Sequence, residues 1–166
     1  IKKISNNNIF WIEEPISAKT NNKDYLNLIE TSKIKIALGE NVYNENEINI
    51  FLKNKHLKFF QPDITKYGGI SLVYKYLNSR FKNKIFLHFL GSGVGLITSA
   101  HLMSAINSKG LLETDFNENP LREDIFNEKI KIANGKIELN SKPGIGYTLK
   151  RNILKKYLIN KLNYKN

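Results

Sequence analysis

Short apolar runs alternate along this chain with longer stretches of helical periodicity. The runs are Ile9-Phe10-Trp11-Ile12, Ile34-Lys35-Ile36-Ala37-Leu38, Phe59-Phe60 with Gln61, Ile85-Phe86-Leu87, and Leu111-Leu112, the shortest. Runs of this length, rich in Ile and Phe, fit buried strands. Helical patterns lie between them. Residues 25–32 carry Leu26 and Ile29 on one face. Asn44, with Glu47 three residues on, has the look of a capping box ahead of Ile48, Phe51 and Leu52. Gly68-Gly69 precedes a third helix from Ile70, and Gly95 precedes a fourth over 96–106. Strand and helix in strict alternation predict parallel strands joined by crossovers.

Each apolar run finishes on an ionisable residue: Glu13, Glu40, Asp63, His88 and Glu113, at intervals of 27, 23, 25 and 25 residues. A βα unit of a barrel takes roughly 30 residues, if about 250 residues make eight units. A polar residue after any one strand would only mark a loop. Five in register mark the carboxyl-terminal face, where barrel enzymes place their chemistry. A doubly wound open sheet shares that property, and periodicity alone does not separate the two.

The expected fold class is therefore α/β: the C-terminal part, about five βα units, of a TIM-like (β/α) barrel, followed by a β-hairpin and tail. Residues 1–127 form the partial barrel and 128–166 the hairpin and basic tail. The hairpin is read from 129–133, Asn134-Gly135 and 136–139, and Pro143-Gly144-Ile145-Gly146 reads as a turn. The basic tail, 150–164, is expected to be partly helical. Five strands do not close an eight-stranded barrel, and the chain starts without Met. It is expected to be the back part of a larger enzyme.

Composition changes this picture little. Twenty-six Lys+Arg against 15 Asp+Glu give a formal charge of +11. Arginine appears only at Arg80, Arg122 and Arg151, and the lysines are spread along the chain among Asn and Ile. A phosphate-binding face favours clustered Arg, so no specific nucleic-acid partner is expected. There is no cysteine, which excludes disulfides, thiolate metal sites and a cysteine nucleophile. No apolar run approaches the roughly 18–20 residues of a membrane span, and no signal core opens the chain. A cytoplasmic protein without a membrane partner is expected.

The five residues suggest a chemistry. Glu13 and Glu40 stand on adjacent strand ends, and hard oxygen ligands of that kind suit Mg²⁺. Glu14 should point to the other side of its strand. His88 is the histidine at a strand end; His56 and His101 read as structural. Asp63 lies one strand earlier, within reach of an Asp–His hydrogen bond across strands about 4.8 Å apart. Such a carboxylate fixes the imidazole tautomer, which makes His88 a general acid or base. Glu113 faces the same site and can donate a hydrogen bond if protonated.

Trp11-Ile12-Glu13-Glu14-Pro15, Gly39-Glu40-Asn41, Gln61-Pro62-Asp63 with Lys66-Tyr67-Gly68-Gly69, His88, and Leu112-Glu113 together resemble the mandelate racemase branch of the enolase superfamily (the mandelate racemase/muconate lactonizing enzyme family). The resemblance runs from about residue 9 to 127. It implies Glu13 and Glu40 as the second and third metal carboxylates, for Mg²⁺. It implies Asp63 and His88 as an acid/base dyad and Glu113 as the group bonding the substrate carboxylate. Superfamily epimerases and lactonizing enzymes carry a Lys where Asp63 stands here, which favours the racemase-like branch. Lys66 reads as structural or as a group that supports the site residues from behind.

The implied activity is α-proton abstraction from a carboxylate substrate through an ene-diolate, as a metal-dependent lyase. A sugar-acid dehydratase is favoured and a racemase or epimerase is the alternative. The first metal carboxylate, the Lys pair of an earlier strand and the amino-terminal lid domain of the family have no counterpart here. The 166 residues alone are expected to be inactive, and the whole protein to be a homo-oligomer. A different class, a phosphate- or nucleotide-binding module, rests on Gly91-Ser92-Gly93-Val94-Gly95. That spacing is not G-x-G-x-x-G and no P-loop Lys follows; it reads better as a flexible loop at the barrel mouth.

Overall fold

The computed structural model describes residues 1–4, 7–77 and 84–161; the last residues of the basic tail, 162–166, lie outside the described part. Three parallel strands, β1 (Ile12–Glu13), β2 (Ile36–Leu38) and β3 (Phe59–Phe60), form a sheet in that order. The fourth and fifth apolar runs join it in the same sense through single bridges, Phe60 to Ile85 and Leu87 to Leu112. The hydrogen bonds step across all five runs. Glu14 N–H donates to Ala37 O, Gln61 N–H to Leu38 O, Phe86 N–H to Phe60 O and Glu113 N–H to Leu87 O, at 2.8–3.0 Å. The five runs thus lie in chain order and parallel, as the alternation predicts. The last two are held by one bridging pair each, and Gly110 passes close to Ile85. A Cβ at Gly110 would stand 1.7 Å from Ile85 O, so the backbones are in contact there.

Helices fill every crossover: α1 (Asn22–Thr31), α2 (Glu45–Lys53), α3 (Gly69–Leu77) and α4 (Gly93–Ala105). Local chemistry starts them. Asn21 and Asn44 accept from the backbone N–H of Asp24 and Glu47 at 2.9 and 3.0 Å, each satisfying one orphan donor of a first turn. Asn44→Ala should therefore lower stability by about 1 kcal/mol, read as a lower urea midpoint with unchanged slope. An unchanged midpoint would mean the cap is idle.

Period-two alternation sorts the strand residues onto two faces. Ile36, Leu38, Phe60, Ile85 and Leu87 turn to the helices and form the main core with residues such as Phe51 and Leu102. Trp11, Phe59 and Phe86 turn the other way and stack at centroid distances of 4.6–5.6 Å. Two residues further along each strand, on that second face, come Glu13, Gln61 and His88. The polar end of the sheet thus rests on an aromatic floor.

One expectation is corrected. The sequence pattern starts the fourth helix at Leu96 and leaves Gly91–Gly95 as a flexible loop, but α4 begins at Gly93. Its glycines serve packing. A Cβ at Gly95 would lie 2.2 Å from the Phe89 ring, and one at Gly93 would lie 2.8 Å from Arg122 O.

Beyond a short helix, α5 (Pro120–Glu123), the hairpin forms as read, with β4 (Ile132–Ala133) antiparallel to β5 (Lys136–Ile137). Asn134 and Gly135, at φ +52° and +69°, make its two-residue turn. Ile130, Ile137 and Tyr147 pack with Ile97, Ile125 and Phe126 in a second apolar cluster. The basic tail is helical over α6 (Arg151–Lys156). Among the described residues no helix is long and apolar enough to cross a membrane.

Candidate active site

At the polar end of the sheet Asp63, Glu40 and Glu113 stand around the His88 imidazole, and Glu13 is near enough for its charge to act on Glu113. Glu13 closes β1, Glu40 stands two residues past β2, Asp63 three past β3, and His88 and Glu113 directly follow the bridging residues Leu87 and Leu112. His88 and Asp63 are each 3% exposed, so their contact is sheltered from water. His88 Nδ1 lies 3.1 Å from Asp63 Oδ2. The other oxygen, Asp63 Oδ1, accepts from Thr65 N–H and Oγ1–H at 2.7 and 2.6 Å. An ionised carboxylate only accepts, so Nδ1 carries the hydrogen and Nε2 is left for chemistry. Nε2 faces two further carboxylates, Glu40 Oε2 at 3.6 Å and Glu113 Oε2 at 3.9 Å.

Glu113 records how much negative charge converges here. Burial, then the Glu13 charge, push its carboxyl above the usual Glu range; His88 opposes this, and Glu40 and Asp63 add to it. Its Oε2 is buried with no hydrogen-bond partner among the described residues. The folded state therefore holds the Glu113 proton more tightly than the unfolded chain does. The stability this contributes is fully present below the ordinary value of 4.5 and is lost as pH rises through the raised folded value. With metal chelated, the urea midpoint of Glu113→Gln should fall less over that rise than the parent's. Equal slopes would remove Glu113 from the pH response.

Of the two readings open for Lys66, structural or supporting the site residues, the geometry matches the second. The Lys66 ammonium bonds Glu40 Oε1. Burial pulls that ammonium down, but the hydrogen bond and charge of Glu40 outweigh it, and the net shift is upward. The signal for it is local. Lys66 N–H bonds Asp63 O in the first turn after β3, which carries the side chain back over the strand end. His101 bonds Ile145 O at 3.1 Å, and His56 is exposed at a chain turn; neither reaches the site.

The donor set can be tested for Mg²⁺. Among the described residues no three His, Asp or Glu side chains form a ready cation cage. Mg²⁺ asks for less, one or two carboxylates beside waters and substrate oxygens. Glu13, exposed and without a hydrogen bond or ion pair among the described residues, and Glu40 supply two hard oxygen donors. The excess negative charge felt by Glu113 favours a cation beside them. The residues present fit the ion.

A family model described as enolase C-terminal domain-like matches residues 1–153. Arabinonate dehydratase of Saccharolobus solfataricus is 31% identical over 155 residues, 90% of this chain and 40% of that protein. D-xylonate dehydratase of Haloferax volcanii is 27% identical over 154 residues, 91% of this chain and 37% of that protein. Among solved structures, a mandelate racemase/muconate lactonizing enzyme from Bordetella bronchiseptica superposes with a TM-score of 0.79 at 28% identity, covering 93% of this chain and 44% of that one. The chain spans about two-fifths of the length of these curated relatives.

Proposed function

The chain belongs to the enolase C-terminal domain-like family, and on that premise we propose that it supplies the acid–base half of a Mg²⁺-dependent sugar-acid dehydratase. The observation that carries the reading is the buried His88–Asp63 pair, with Nε2 turned toward Glu40 and Glu113. The dehydratase relatives favour elimination over racemisation. Glu13 and Glu40 would hold Mg²⁺, which when bound would supply positive charge near a substrate carboxylate and lower the cost of removing the adjacent proton.

His88 Nε2 is the atom that moves a proton. In its neutral form it takes the α-proton. In its protonated form it delivers one to the departing β-hydroxyl, which leaves as water. Asp63 holds Nδ1–H and stabilises the imidazolium between those states. Glu113, protonated more readily than an ordinary Glu, donates a hydrogen bond to the substrate carboxylate. Loss of the α-proton and the β-hydroxyl leaves an enol, which becomes a 2-keto-3-deoxy acid.

The test uses the natural protein with Mg²⁺ and a panel of aldonic and aldaric acids in D₂O. Keto-acid formation with deuterium incorporation supports the reading. Exchange at the α-carbon with inversion and no keto acid makes the protein a racemase. Neither reaction in a Mg²⁺-bound protein, across the panel, overturns the proposal.

A further inference from the structure

Glu14 lies on the helix-facing side of the sheet beside Tyr25 and Leu38, as strand alternation expects, but its backbone is not extended. Its φ is +34°, in the left-handed region. It precedes Pro15, and a residue before proline is sterically pushed toward extended backbone. Something must hold Glu14 in that conformation, and its carboxylate shows what. Oε1 accepts from Gly39 N–H and Asn41 N–H, both at 3.4 Å, and Oε2 accepts from Asn41 Nδ2 at 2.6 Å. Asn41 Oδ1 in turn accepts from the Tyr43 hydroxyl at 2.8 Å. The two backbone donors flank Glu40 at the long end of hydrogen-bond range and Asn41 Nδ2 supplies the short bond, so one anion meets the chain on both sides of it. The carboxylate of Glu40 itself is free to face Lys66 and His88.

We propose that Glu14 is the positioning residue of the site, and that its carboxylate, clamped on Gly39 and Asn41, sets where Glu40 stands. The consequence for cation affinity rests on the reading of Glu40 as a Mg²⁺ ligand; the clamp itself does not. Hydrogen bonds to an ionised acceptor are about twice as strong as neutral ones. Groups that orient a metal ligand typically govern affinity by about 10–100-fold.

Two readouts test the clamp in the natural protein. One is hydrogen exchange of the backbone around residues 38–42, followed by mass spectrometry. The other is Mg²⁺ affinity by calorimetry. Glu14→Gln removes the charge and sets an amide against Asn41 Nδ2. Asn41→Asp sets a second carboxylate against Glu14. Each single change should speed exchange in this segment and weaken Mg²⁺ by about 10–100-fold. The double change again pairs one amide with one carboxylate, and should recover most of both losses. Faster exchange in both single variants with no recovery in the double would mean general damage and would overturn the clamp. Unchanged exchange in folded Glu14→Gln would overturn it directly. Should Glu14→Gln not fold, Asn41→Ala removes the Nδ2 donor and the Tyr43 link alone; faster exchange there supports the clamp, and unchanged exchange overturns it. A parent protein that binds no Mg²⁺, with exchange still responding and rescued, would leave the clamp standing and remove the metal reading of Glu40.

Discussion

Replacing His88 with asparagine should lower kcat of the natural enzyme by about 10²–10⁴-fold, the contribution of a general acid–base group, while Mg²⁺ affinity stays within about twofold of the parent. Asparagine keeps a polar side chain in the buried place of the ring and removes the atom that moves the proton. Asp63→Asn should cost part of the same activity. Asp63 Oδ1 stays committed to Thr65, and the Oδ2 partner of Nδ1 is lost or reversed. Both changes act on one imidazole, so the double variant should be hardly worse than His88→Asn. Steady-state kinetics of the three variants decide the matter. A double loss equal to the product of the single losses would separate Asp63 from His88. Elimination and exchange left intact in His88→Asn would remove His88 from the chemistry.

Gly39→Ala should damage stability and site together. Gly39 has φ +146°, and a Cβ there would sit 2.6 Å from Gln61 N and 2.7 Å from Gln61 C. Backbone cannot yield as a flexible side chain does, so β2 and β3 must part near their carboxyl ends. Backbone strain of about 1–3 kcal/mol and overpacking of about 1–3 kcal/mol together predict a loss of about 2–6 kcal/mol. Gly39 also carries an N–H bonded to Glu14 and precedes Glu40. Mg²⁺ binding should therefore fall in whatever fraction remains folded. Urea unfolding and calorimetry on the same sample check both parts. A midpoint close to the parent's would show that the strands separate at little cost.

Much of the scaffold was legible because it is written in local chemistry. Asn44 caps α2 through an N–H three residues away, and the Asn134-Gly135 turn needs only two residues that tolerate positive φ. The strand-end positions of Glu13, Glu40, Asp63, His88 and Glu113 follow from where apolar runs stop. Alternation with helices then makes the runs parallel, which brings their carboxyl ends to one side. The resemblance carried by those residues pointed to the family that residues 1–153 match.

The rest depended on contacts between distant segments. Gly93 and Gly95 read as loop, because glycine disfavours helices; the Phe89 ring and the Arg122 carbonyl are what require them inside α4. Lys66 read as structural or as supporting the site, and the turn after β3, which folds it over Glu40 26 residues away, decided between the two. Glu14 points away from the imidazole as alternation predicts, but its left-handed φ and its partners, 25 and 27 residues later, were not legible in the sequence. By itself the sequence determined the order of elements and which residues stand at the strand ends, since hydrophobic period and capping act over a few residues. Only the tertiary structure decided which further carboxylates face Nε2, which one bonds the neighbouring loop and which holds its proton more tightly than usual, because those outcomes depend on burial and on charges brought together from separate strands.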